Sequence, residues 1–168
     1  MKTTVEDIAA AAGVSRATVY RYAAGRDELI LGVLLRSADR FFDRLGRRLG
    51  RSDDFGEALV EGIVYALDQV RADENLALLF APEVAGVTGS IAGAAEALFR
   101  RSAEYLEPLV RAAQQAGQLR QDIDAGELAE WLIRVILSLL TVQGPRPRSR
   151  AQIRSLLYEF VVPALVVR

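Results

Sequence analysis

Apolar residues recur at three- and four-residue steps along nearly the whole chain, and no stretch alternates at a step of two as a half-buried strand would. Near the start, Val5, Ile8, Ala9 and Ala12 share one helical face, and Thr3 with Glu6 has the spacing of a capping box. Gly13 stops that helix, because glycine takes a positive φ without steric cost. Val14 is then placed to wedge between two helices, and Ser15 caps the second, which displays Arg16, Ala17, Thr18, Tyr20, Arg21 and Tyr22. From Asp27 to about Leu49 a long helix follows, with Leu29, Val33, Leu34, Ala38, Phe41, Phe42 and Leu45 as its stripe. Arg36, Arg40, Arg44 and Arg48, interleaved with Asp39 and Asp43, predict a solvated face laced with ion pairs along that helix.

The pattern continues to the end. Asp54 and Glu57 open a helix to about Arg71 with Leu59, Ile63, Ala66, Leu67 and Val70 inward. Asp73 and Glu74 start a short apolar helix over Leu76 to Phe80, which Pro82 ends, and Gly86 to Gly89 reads as a loop. Ser90 to Ala116 is a long helix kinked at Pro108 and terminated by Gly117. Ala125 to about Val142, capped by Asp124 and Glu127, is apolar almost all round and so must be covered on more than one side. After the loop Gly144-Pro145-Arg146-Pro147-Arg148, Ser149 and Gln152 open a last helix with Ile153, Leu156, Leu157, Phe160, Val161 and Leu165 on one face. The fold class is all-α, with residues 1–48 forming a helix-turn-helix unit and residues 49–168 a larger helical domain.

Two short helices about a Gly-Val turn are the layout that sets a recognition helix into the DNA major groove. The run from Thr3 through Gly13-Val14-Ser15-Arg16-Ala17-Thr18-Val19-Tyr20-Arg21-Tyr22 to Arg26-Asp27-Glu28-Leu29 resembles the tetracycline-repressor (TetR) family of one-component bacterial regulators. The strong likeness ends near Leu34. The resemblance implies that Arg16, Ala17 and Arg21 face base edges. It also implies that Thr4, Ser15, Thr18, Tyr20, Tyr22 and Arg26 belong to the DNA-contacting set. Members of the family carry a further helix before the position of Thr3. The sequence starts at Met1, so that helix is expected to be missing and Ile8, Val14 and Val19 to be under-covered. Ala23 and Arg26 stand where the family tends to have an aromatic residue and a lysine.

Composition narrows the chemistry. Over residues 1–26, Lys2, Arg16, Arg21 and Arg26 face Glu6 and Asp7, a local net charge of +2 in a chain of net charge −1. The chain has no Cys and no His, and Lys2 is its only lysine. Disulfides, zinc clusters, Cys–His pairs and Ser–His–Asp triads are excluded as written. No catalytic residue, metal site or cofactor is expected. Met1-Lys2 leads into a polar, capped helix rather than an apolar leader, and the apolar run Trp131 to Val142 is too short for a membrane span and is broken by Arg134. The expected location is the cytoplasm.

Two strongly apolar C-terminal helices exceed what one small domain needs to cover itself, which predicts a homodimer through Leu132, Ile136, Leu139, Ile153, Leu157 and Phe160. The resemblance implies the same four-helix interface. The middle helices would then enclose a pocket for a small apolar effector, with Tyr65, Leu76, Phe80, Phe99, Leu106, Trp131 and Val135 as candidate lining and Gln69 and Glu104 as orienting polar groups. The expected function is a DNA-binding transcriptional regulator, of the repressor type, that answers to that effector and binds double-stranded operator DNA. The rival reading is a ligand-binding and dimerisation module that no longer binds DNA.

Overall fold

A computed structural model describes residues 4–49, 53–73, 77, 88–142 and 144–167. Helix α1 spans Val5–Ala11 and α2 spans Arg16–Tyr22. The capping box of α1 sits one residue later than the expected Thr3–Glu6 pair. Asp7 N donates to Thr4 Oγ1 (3.2 Å), and Thr4 N donates to Asp7 Oδ2 (2.8 Å). The sequence Thr3-Thr4-Val5-Glu6-Asp7 offers the box at two registers, and the chain uses the second. Gly13, at φ 65°, ends α1: Val14 N bonds Ala9 O and Gly13 N bonds Ala10 O, the Schellman pattern.

Val14 does not wedge between the two helices, being 42% exposed. The space is filled instead by Val5, Ala9 and Val19, with Leu29 packed against them. Val19 is therefore covered, contrary to expectation, Ile8 is half-buried, and Ala23 is buried at the junction after α2.

Helix α3, Arg26–Leu49, begins one residue earlier than expected and runs unbroken for 24 residues, about 36 Å at 1.5 Å per residue. Helix α4 is Phe55–Ala72, α5 is Thr88–Gln115, α6 is Ala125–Thr141, α7 is Arg150–Phe160 and α8 is Val162–Leu165. Thr88 and Gly89 are thus helical rather than loop, and Pro108 lies inside α5. The expected helix over Leu76 to Phe80, with Pro82 and Gly86, lies outside the described residues.

The expected last helix is two. Pro163, in the first turn of α8, has no N–H to continue α7, and the chain steps at Val161. The main core joins α4 to α5, α6 and α7 around Val60, Leu67, Leu119 and Leu157, each at or below 1% exposure. Ion pairs on the arginine stripe of α3 cross to other helices rather than run along it: Asp39 to Arg101 of α5 (3.4 Å) and Arg48 to Glu61 of α4 (3.7 Å). No described helix is long and apolar enough to cross a membrane.

The turn after α5 ties three elements together. Gly117, at φ 70°, closes α5 with the same Schellman pattern, so that Gln118 N bonds Ala113 O. The Gln118 side chain then donates to Asp53 O (2.7 Å) and accepts from Phe55 N (2.9 Å), pinning the start of α4. Leu119 forms an isolated antiparallel bridge with Val166, and Arg120 N donates to Leu165 O (3.1 Å), which holds the C-terminal tail on the same turn.

Candidate nucleic-acid interface and interior cavity

Helix α2 starts at Ser15, whose hydroxyl oxygen accepts from Thr18 N (3.1 Å) and lies 2.9 Å from Thr18 Oγ1. Both hydroxyls are therefore engaged in the cap, which satisfies the Thr18 N–H at the start of α2. The exposed side of α2 carries Arg16, Ala17, Tyr20, Arg21 and Tyr22, with Tyr22 76% exposed. Thr4 is exposed at the start of α1, and Arg26 is half-buried at the start of α3.

The two arginines are held differently. Arg16 Nη1 lies 2.7 Å from Glu6 Oε1 of α1, and its guanidinium sits 5.8 Å from the Tyr20 ring centre. The Tyr20 hydroxyl and then the Glu6 carboxylate hold the Arg16 guanidinium above its ordinary pKa. Arg21 lies over the Tyr22 ring at 5.2 Å. These contacts fix directions without burying charge. An exposed pair such as Glu6–Arg16 is worth about 0–1 kcal/mol, so a phosphate or a guanine edge exchanges for it readily. Glu6, expected in the cap of α1, instead holds Arg16, while Asp7 closes the cap. The Glu28 carboxylate accepts from Ala24 N and fastens the turn into α3.

Between α3, α4, α5 and α6 lies a cavity of about 330 Å³. Its α3 wall is Ala38, Phe41, Phe42 and Leu45. Small residues one turn apart make the room: Ala58, Gly62 and Ala66 on α4, and Ala112 and Ala116 at the end of α5. Asp53, Gln118, Ser102 and Tyr105 are the polar lining groups. Ser102 is buried and donates to Leu98 O (2.8 Å). The Tyr105 ring stacks on Phe42 at 5.0 Å, and burial pushes its phenol pKa up.

Of the candidate lining residues, Leu106 is on the cavity wall. Tyr65 is not: it stacks on the far side of Phe41 (5.7 Å) and sits beneath Arg48. Phe99 packs beside Ala38, Leu98 and Ile133, Val135 packs on the main core, and Trp131 faces outward at 37% exposure. Leu76 and Phe80 lie outside the described residues. Gln69 is half-buried and Glu104 exposed, where it meets Arg101 (3.6 Å), and neither is a lining residue.

The candidate interface residues divide as well. Ile153 and Leu157 are buried within the chain's own core, at 7% and 1%, which removes them from any outer face. Leu132 and Ile136 line the cavity, and Leu139 packs half-buried on the core. Phe160, 64% exposed, is the candidate that stands outside, together with Tyr158 and Val142.

Residues 1–33 match the family described as bacterial regulatory proteins, tetR family. An uncharacterized HTH-type transcriptional regulator of Mycobacterium tuberculosis is 30% identical over 159 residues, which covers 95% of this chain and 73% of that protein. Among solved structures, the transcriptional regulator FadR from Bacillus subtilis, in complex with stearoyl-CoA, superposes with a TM-score of 0.71 at 17% identity, over 95% of this chain and 87% of that one. A putative transcriptional regulator from Saccharomonospora viridis, in complex with choline, gives a TM-score of 0.62 at 27% identity, over 98% of this chain and 87% of that one.

Proposed function

Because the chain belongs to the TetR family of bacterial regulatory proteins and is a transcriptional regulator, we propose that it is a homodimeric repressor released from operator DNA by a small apolar effector in the α3–α6 cavity. The observation that carries this reading is α3 itself. Leu29, in its first turn, packs on the helix-turn-helix core, while Ala38, Phe41, Phe42 and Leu45 form one wall of the cavity. A ligand that moves this wall acts on both ends of one rigid rod, and only a difference in affinity between two rod positions shifts DNA binding.

In this reading Arg16, Ala17 and Arg21 meet base edges, while Thr4, Tyr20, Tyr22 and Arg26 meet phosphates. Ser15 and Thr18 serve by capping α2 and so fixing where it starts. A twofold dimer spaces two copies of α2 about 34–36 Å apart, one turn of DNA, and so reads a palindrome. The complexes of the Bacillus and Saccharomonospora regulators, one with stearoyl-CoA and one with choline, support a ligand-responsive body on this fold. They do not choose the ligand, since the cavity here is walled mainly by apolar residues.

The experiment is selection of bound sequences from random duplexes by the purified chain, followed by fluorescence anisotropy on the enriched site. An inverted repeat bound with an affinity that falls steeply with salt is the expected result. No enrichment even at low salt overturns the DNA-binding reading.

A further inference from the structure

The cavity has a donor with nothing to donate to. Gln118 has spent its amide on Asp53 O and Phe55 N. Ser102 has spent its proton on Leu98 O (2.8 Å). Tyr105, three residues on and on the same face of α5, has no hydrogen-bond partner among the described residues, although its ring is fixed against Phe42. Burial raises its pKa, so at neutral pH the phenol keeps its proton and acts as a donor. The residue is half-buried and its hydroxyl oxygen approaches Gly46 of α3, so the O–H is open to an acceptor that reaches it from the cavity.

Charge limits what that acceptor is. Among the described residues no Arg or Lys lines the cavity, so an ionised carboxylate or phosphate inside would lie unpaired. Asp53, the carboxylate among the lining groups, is exposed, and its sign repels an anion. Resting on the effector reading above, we propose that the cavity takes an uncharged, mainly hydrocarbon molecule carrying one carbonyl oxygen, which accepts a hydrogen bond from the Tyr105 hydroxyl. The hydrocarbon part fills the space left by the small residues of α4 and α5.

The test is calorimetric titration of the wild-type chain with decane, methyl octyl ketone, the methyl ester of nonanoic acid, and decanoate. Operator anisotropy is read in parallel. The ketone or the ester binds more tightly than decane, by up to about tenfold for one net hydrogen bond, and decanoate binds worst. The arm that binds better tells a ketone-type from an ester-type carbonyl. In Tyr105→Phe the preference over decane disappears while decane binding is unchanged, and in Ser102→Ala the preference persists. Equal binding of decane and both carbonyl compounds overturns the proposal. So does tightest binding by decanoate, or a preference that survives Tyr105→Phe. If none of the four binds while the chain still binds its operator, the cavity is no effector site and both readings fall. If the carbonyl compounds bind as stated and the operator stays bound, the regulatory reading alone falls.

Discussion

Arg16 is held over the outer side of α2 by one exposed carboxylate and one tyrosine ring. Removing the carboxylate changes its freedom more than its charge. Glu6→Gln is therefore expected to leave the thermal midpoint within the small range of surface changes, while altering base preference at the position Arg16 reads. Binding-site selection with both proteins checks this, and identical profiles would show that Glu6 does not position Arg16. Arg21→Ala is expected to lose about 1–3 kcal/mol of discrimination at a single base pair, whereas Tyr20→Phe weakens all sequences alike.

Asp7 supplies a pH test at the same scale. The Thr4 backbone N–H, and then its hydroxyl, hold the Asp7 carboxyl below its ordinary value of 3.8. Its contribution is thus complete above that value and is lost as pH falls through the lowered folded value. Protection factors of the α1 amides, corrected for the intrinsic pH dependence of exchange, are expected to fall on acidification through that window, and in Asp7→Asn that fall should be absent. The sequence shows this cap one residue early, at Thr3–Glu6, because two threonines precede two acids and both registers have the right spacing.

At the scale of elements, Gly117 turns α5 back on itself at φ 70°, with nothing within 4 Å of where a Cβ would stand. Space is free there and only the backbone conformation resists. Gly117→Ala is expected to destabilise by roughly 1–2 kcal/mol, read from urea unfolding with unchanged slope. A stabilised variant would mean that the turn relaxes elsewhere. Helix stripes, the Asp54, Asp124 and Ser149 caps and both glycine stops were legible in the sequence because each is a local pattern. The step at Val161 is hidden in the apolar spacing, which runs on to Leu165 although Pro163 has no N–H for the preceding turn. The cavity was legible too, though in the wrong residues. Bulky side chains fill space, whereas an interior space exists where side chains are small, and Ala58, Gly62 and Ala66 at a four-residue spacing are its signal.

For the whole molecule, the last helices leave apolar side chains exposed, and of the six expected interface residues Phe160 is the one that stands clearly among them. Ile153 and Leu157 are consumed inside the chain, and Trp131, Val142, Tyr158 and Phe160 remain outside. A pattern of apolar spacing cannot separate a face that meets the chain's own core from one that meets a second copy. Sedimentation is expected to find a dimer. Phe160→Glu together with Trp131→Glu should give folded monomers, judged by retained helical signal. Leu157→Glu should instead lose the fold, since it places an unpaired charge at a site 1% exposed. Monomers from the wild type at high micromolar concentration would remove the dimer.

The shared helix α3 also bears on how such a chain can be cut and recombined. A splice at residue 48 or 49, where α3 ends, is the natural place to graft this reading head onto another sensor. That graft would carry away Ala38, Phe41, Phe42 and Leu45 and leave the donor's sensing chamber open along one side. A junction inside α3, after Leu34 and before Ala38, keeps each chamber with its own wall. The working module of this protein is thus bounded in the middle of a helix, and its parts are exchangeable only by fusing two rods in phase.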